Sequence, residues 1–413
     1  MKSNNKTDDQ KNFVYYNSFN SLFLVAFIPF EIFAIVNLSL TPSGRLIFGG
    51  VMMAILIVQI IVSPFIGNLL DSFPRKTVIM RVILLQLAFA LIISFLWEML
   101  PEYEIIFIIT LFMLVNITDG IFFDAMRSMQ QTISSPVNIG KGNGFSEISG
   151  QLPSIIGPAM AIPVLTFLGP LYSLALSTVI LILTVPILMH VKENFTVEKK
   201  VMNKNTAEKK EGAINYMKKN PSKIIFAFLL NMPFIMVATG NFLKPVFIVS
   251  TLHAGLFGLS LSEMVYASFA STLGLVLSVT RWKNEIVMMY GFFILYIFGT
   301  FLMPTSPILA IFLIYQAFHG IGNPGVRVSR NTFLMKRIDA QHSGRFFSSV
   351  TFLSTTARLM LLVFFTLTVN TLGTTFLFDL SGFILVASLT FSIILMKNQE
   401  MRNFMRVNRL NSF

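Results

Sequence analysis

Twelve long apolar runs, most of them separated by only a few polar residues, constrain this sequence more than any motif in it. They fall near residues 13–38, 45–70, 77–99, 105–125, 145–168, 170–190, 223–250, 257–280, 285–303, 307–332, 343–370 and 373–396. A segment that crosses the hydrocarbon core of a bilayer needs roughly 20 apolar residues and must satisfy its own backbone hydrogen bonds, which selects α-helices. With 54% hydrophobic and 12% charged residues and a mean hydropathy of +0.73 over 413 residues, a soluble domain would have to expose large apolar patches. The expected fold class is therefore an all-α polytopic membrane protein with twelve transmembrane helices.

The net charge of +12 is carried between the apolar runs, where it orients a membrane protein rather than forming a nucleic-acid-binding face. Arg and Lys concentrate in cytoplasmic loops, so the knot Gly67–Lys76 with Asp71, Arg75 and Lys76 is assigned to the cytoplasmic surface. Glu98, Glu102 and Glu104, and the cation-free turns around His253, Pro304 and Gly373, are assigned to the outer face. This divides the chain into a cytoplasmic tail (1–12), a six-helix bundle (13–190), a Lys- and Glu-rich cytoplasmic linker (191–222), a second bundle (223–396) and a cytoplasmic tail (397–413). The first apolar run is too long for a cleaved signal sequence and is followed by no small-residue cleavage site, so it is expected to be retained. The expected location is the bacterial cytoplasmic membrane.

Several chemistries are excluded. The absence of cysteine removes disulfides, thiolate metal sites and thiol catalysis. Gly140–Gly144 carries a lysine among glycines but lacks the Gly-Lys-Ser/Thr register and a preceding strand, and reads as a connector. No His-rich metal cluster or nucleophile motif is present, so neither an enzyme nor a metal or other cofactor is expected. The expected partners are the bilayer, a small-molecule solute and protons, with the chain acting as a monomer.

Gly67, Asp71, Arg75 and Lys76 resemble the charged loop between helices two and three of the major facilitator superfamily of transporters. Thr41-Pro42-Ser43 and Pro64 resemble landmarks around helix two in its macrolide-efflux and siderophore (enterobactin)-export branch. The match departs at Ser72, where Arg is usual, and at Pro74, where Gly is usual; proline cannot take a left-handed turn. The resemblance implies two pseudo-symmetric six-helix bundles and alternating access. It further implies export of a small organic solute, drug-like or a secreted metabolite such as a siderophore, by proton antiport. An importer of the same fold and a non-transporting receptor or scaffold are the alternatives. Gly67, Asp71, Arg75, Lys76, Asp124 and Arg127 would form the latch that holds one conformation, with ordinary interfacial pairing as the other reading. Gly157-Pro158 resembles the helix-five pair of antiporter branches and would permit a bend.

Ionisable groups inside the spans narrow the site further, since each costs about 2.5 kcal/mol or more in hydrocarbon. Glu31 stands about 27 Å along helix one and matches the acidic residue that several drug/proton antiporters of the resembled superfamily use. A carboxylate in a partly dry cavity can bind and release a proton near neutral pH, although structural pairing would also account for it. Asp119 is placed about two turns above the cytoplasmic end of helix four. At an offset of 200 residues, Asp119-Gly120-Ile121 aligns with His319-Gly320-Ile321, and Arg127 with Arg327, as an internal repeat would require. Asp119 and His319 are therefore the further proton-handling candidates, with pairing of Asp119 to Arg127 as the alternative. Lys244 and Arg358 lie deep in apolar runs and could balance Glu31 or receive an anionic group. With Asn37, Asn116, Asn231, Asn241, Tyr315 and Gln316 they would line a polar and aromatic substrate cavity, unless the amides serve only interhelical bonding.

Overall fold

A computed structural model describes residues 2–133, 149–193, 217–279, 284–338 and 340–406, and among these every regular element is helical. In chain order they are α1 (Lys2–Val25), α2 (Ile28–Ser39), α3 (Pro42–Ser72), α4 (Arg75–Met99), α5 (Glu104–Ile133), α6 (Pro153–Pro163) and α7 (Pro170–His190). Then follow α8 (Pro221–Leu229), α9 (Met232–Ser250), α10 (Gly255–Val279), α11 (Glu285–Leu302), α12 (Leu309–Met335), α13 (Ala340–Met396) and α14 (Gln399–Arg406).

Ten stretches of the described chain are long and apolar enough to span a bilayer. One of them, Phe346–Met396, is 51 residues long and is broken at Gly373 (φ 77°), so it makes two crossings. Helix α12 has 27 residues, ample for a crossing, but Gln316, His319, Asn323, Arg327 and Arg330 lower its hydropathy. Counting these restores the expected twelve. Large apolar side chains such as Phe65, Phe167, Phe352 and Phe383 remain exposed, as a hydrocarbon solvent allows.

The helix ends follow local chemistry. Thr41 caps α3 by accepting from the Gly44 N–H at 3.0 Å, with Pro42 in the first turn. Asn284 caps α11 through the Val287 N–H at 3.3 Å. The first span is not continuous: it breaks between Val25 and Ile28, where Pro29 has no N–H to extend a ladder. Ser177 donates to the Ala26 carbonyl at 2.7 Å, which satisfies a group the break leaves without a helical partner.

Three expectations need correction. Helix two does not stop at Leu70; α3 continues to Ser72, so Gly67 and Asp71 lie in its final turns and only Phe73 and Pro74 separate it from α4. Pro74 (φ −55°, ψ 132°) makes this corner without a left-handed residue. Helix four runs beyond Ala125 to Ile133, because the polar residues after Asp124 do not end it. Asp119 is thus 14 residues, or about 21 Å, from its end rather than two turns. The connector Gly140–Gly144 and most of the linker lie outside the described residues.

The chain divides into two compact units, Met1–Lys199 with Ile248–Val279, and Lys200–Phe247 with Thr280–Phe413. In the first, α10 packs on α6 and α2, so the grouping cuts across the chain halves. Gly157 makes room for α2: a Cβ there would lie 2.6 Å from Ile28. Phe23 and Phe122 stack at 3.9 Å between α1 and α5. The second unit is centred on Phe226, Phe293, Tyr296, Phe333, Phe346 and Leu385, and α14 adds Met401 and Phe404 to the same core.

Candidate functional site

In the first unit four helices bring polar side chains, most of them half-buried, to one place. Asn116 of α5 donates its amide N–H to the Glu31 carboxylate at 2.9 Å and to the Phe112 carbonyl at 3.0 Å. Gln59 of α3 donates to the Asn116 carbonyl at 3.1 Å. One turn along α5, Gln86 of α4 donates to Asp119 at 3.0 Å and to the Thr118 hydroxyl at 2.9 Å. Asn116 and Asp119 are three residues apart and share a helix face, and Asp119 is close enough for its charge to act on Glu31. Gly120 keeps the approach of α3 open, since a Cβ would sit 3.3 Å from the Gln59 amide.

Glu31 belongs to the first turn of α2, directly after the break, and its N–H bonds the Phe27 carbonyl at 2.8 Å. Interrupted helices with a polar group at the half-helix end are a recurrent way to build a site in a membrane. Two carboxylates that, among the described residues, are held by amide donors and not by cations make a group that can exchange protons or receive a cationic or hydrogen-bonding ligand. Asn37, half-buried two turns further on, is the remaining first-unit candidate. Gln59 and Gln86 were not among the sequence candidates; their signal is an amide alone in an apolar run.

The charged corner is organised by a residue that the sequence reading left in the linker. Glu193 accepts from the backbone N–H groups of Arg75 and Lys76, each at 3.0 Å, and so caps α4; it also lies 3.8 Å from the Arg75 guanidinium. Arg75 Nε donates to Ser128 at 3.0 Å, and Lys76 Nζ to the carbonyls of Met189 (2.7 Å) and Val191 (3.1 Å). Asp124 is exposed. The side chains of Asp71 and Arg127 lie outside the described set.

In the second unit, His319 and Lys244 are both buried, and the lysine charge acts on the imidazole. His319 stacks on Tyr296 at 4.3 Å and shares a hydrogen bond with Thr300 at 3.0 Å. Asp119 and His319, matched in the repeat, thus have separate sets of partners, each within its own unit. Gln316 is buried and Tyr315 half-buried on α12, whereas Asn241 is exposed. Asn231 accepts from the Arg330 guanidinium and donates to the Ser354 hydroxyl at 2.6 Å, linking three helical segments. Arg358 stands one turn beyond Ser354. Arg330, Glu263 and Asp379 are intramembrane charges that the sequence candidates omitted. No group of three His, Asp or Glu side chains that could hold a metal ion occurs among the described residues.

The family model of the Major Facilitator Superfamily matches residues 13–362. No curated protein matches the sequence. Among solved structures, a bacterial homologue of the iron transporter ferroportin, in its inward-facing state, aligns with a TM-score of 0.70 at 13% identity, covering 94% of this chain and 99% of that one. The human organic anion transporter MFSD10 (TETRAN) aligns at 0.62 and 13% identity, covering 93% and 99%. The nucleoside transporter NupG aligns at 0.63 and 13%, covering 92% and 99%. At these identities the likeness is one of fold.

Proposed function

Because the chain belongs to the major facilitator superfamily, and is a membrane transporter rather than an enzyme, we propose that it is a secondary active transporter that exports a small organic solute in exchange for protons. The observation that carries this reading is the half-buried Glu31–Asn116 bond with Asp119 one turn away, a pair of carboxylates in apolar helices that accept from neutral amides. An antiporter must hold proton and substrate in alternation. A carboxylate paired permanently with a cation is poorly suited to that, whereas one that shares an amide donor can gain or lose a proton without leaving a buried cation unpaired. Asn37 and Asn116 are the substrate-contact candidates of the first unit, and Asn231, Asn241, Lys244, Tyr315, Gln316 and Arg358 those of the second. Asp71, Arg75, Lys76, Asp124 and Arg127 would bias the conformational equilibrium at the cytoplasmic face, around the α4 cap made by Glu193.

The macrolide and siderophore branch, the cytoplasmic membrane, cytoplasmic termini and a monomeric state belong to the same proposal. The test uses Glu31→Gln, which mimics the protonated form. In proteoliposomes it is expected to abolish uphill solute movement driven by a pH gradient while sparing exchange of labelled for unlabelled solute. If the variant still concentrates solute in response to the pH gradient, Glu31 does not couple, and Asp119 becomes the residue to replace.

A further inference from the structure

Arg330 of α12 and Arg358 of α13 have no carboxylate partner among the described residues. Arg330 makes hydrogen bonds through Nε (3.3 Å) and Nη2 (3.0 Å) to the Asn331 amide oxygen, and through Nη1 to the Asn231 amide oxygen. Both acceptors are neutral, so among the described residues the positive charge is solvated but not balanced. Arg358 has its Nε buried with no hydrogen-bond acceptor among the described residues. Neither arginine pairs with a carboxylate there; the described ion pairs are Arg75–Glu193 and Lys336–Glu285.

These groups converge through Asn231. Its oxygen accepts from Arg330 and its nitrogen donates to Ser354, which engages both ends of the amide. Ser354, 5% exposed, keeps its own hydroxyl proton to give. Arg358 follows four residues later and so projects from the same face of α13. The place therefore offers hydrogen-bond donors from Arg330, Ser354 and Arg358, and the acceptors that meet them among the described residues are neutral. An isolated cation in a low-dielectric setting is costly, and a guanidinium has more N–H donors than these contacts use. Cationic donors that meet only neutral acceptors match an oxyanion.

We propose that Arg330, Arg358, Ser354 and Asn231 form an anion-binding site, and that the transported solute carries a carboxylate, phosphate or similar oxyanion. This rests on the transporter reading above for its role, but not on proton coupling. An anionic lipid headgroup offers the same chemistry, and the experiment separates the two.

The probe is fluorescein, an organic anion, with rhodamine 6G as a cation of the same ring system. Binding to the purified full-length protein in detergent is read by fluorescence anisotropy, which needs neither transport nor a pH gradient. Failure here leaves the Glu31 test untouched, and the reverse also holds. Saturable fluorescein binding that inorganic phosphate competes away, without rhodamine binding, is expected. Arg358→Gln and Arg330→Gln should each weaken it by about tenfold or more, the scale of one lost charge-assisted bond. Arg358→Lys should retain part of the affinity, and Lys397→Gln, which removes an exposed charge elsewhere, should retain all of it. Asn231→Asp gives Arg330 an internal counter-charge, so it should hold or raise the unfolding temperature yet weaken fluorescein binding, which loss of folding would not do. No saturable binding to the wild type, equal binding of the cation, or unchanged affinity in both glutamine variants overturns the proposal. Stabilisation by phosphatidylglycerol that both variants lose, without fluorescein binding, assigns the site to a lipid headgroup and overturns its substrate role.

Discussion

Gly322→Ala probes how the His319 site is held. Helices α11 and α12 form a hairpin in which Gly299, Gly322 and Gly325 let the two backbones come close. A Cβ on Gly322 would lie 2.7 Å from the Tyr296 Cβ and 2.9 Å from its Cα and N. Ordinary contact needs several tenths of an ångström more, and because two of those atoms are backbone, no rotamer change relieves the clash. The helices must separate, at an overpacking cost of about 1–3 kcal/mol, or roughly five- to hundredfold in the folding equilibrium. Tyr296 is also the residue that stacks on His319. Gly291 on the same helix α11 faces open space, with nothing within 4 Å of an added Cβ. There, alanine should gain up to about 1 kcal/mol from helix propensity. The assay is the thermal unfolding midpoint of the detergent-purified protein, followed by size-exclusion of a fluorescent fusion. Gly322→Ala should fall several degrees below wild type while Gly291→Ala equals or exceeds it. Coincident midpoints for the two variants would refute the packing argument.

Glu193→Ala should uncap α4: losing an N-terminal cap costs about 0.5–2 kcal/mol, so the Arg75 and Lys76 amides should exchange hydrogen about two- to thirtyfold faster. Unchanged exchange across that corner would show that the capping contacts carry no stability. Single cysteines at Ser3, Asn205 and Ser412, placed in a chain that has none, should resist an impermeant thiol reagent in intact cells. Labelling at Asn205 from outside would reverse the proposed orientation.

The membrane class and the helix succession were legible because hydrocarbon imposes one rule along the whole chain: about 20 apolar residues per crossing. Where that rule is weakest, the reading was weakest too. Polar residues on α5 after Asp124 suggested an end, but a helix leaving the bilayer needs no apolar residues to continue, and α5 reaches Ile133. The break at Ala26–Phe27 had a signal in Pro29, yet a proline two residues into a half-helix looks in sequence like one within a continuous span. Glu31 and Asp119 were legible as lone acids in apolar runs. Their donors Asn116 and Gln86 were legible only as amides, since which amide meets which acid depends on helix rotation. Arg330 was missed because a cation toward the end of a long helix is ordinary in sequence; its bond to Asn231 on a distant segment distinguishes it.

The proposed proton antiport through Glu31 and the proposed anionic solute at Arg330 and Arg358 would together fix the electrical sign of transport, which neither fixes alone. When a monoanion leaves the cell as one proton enters, two elementary charges move in the direction that an inside-negative potential favours. Each is worth about 2.3 kcal/mol per 100 mV, so two supply about 4.6 kcal/mol, on the order of a 10³-fold solute gradient. Proteoliposomes with a potassium gradient and valinomycin test this with fluorescein as reporter. The anion should accumulate on the positive side without any imposed pH difference, and protons should move the opposite way. Exchange of labelled for unlabelled solute moves no net charge and should ignore the potential, in wild type and Glu31→Gln alike. Net uptake that is equally indifferent to the potential would mean that solute and proton charges cancel. A cation exchanged for a proton would do that, and the arginine cluster would then have no part in substrate recognition.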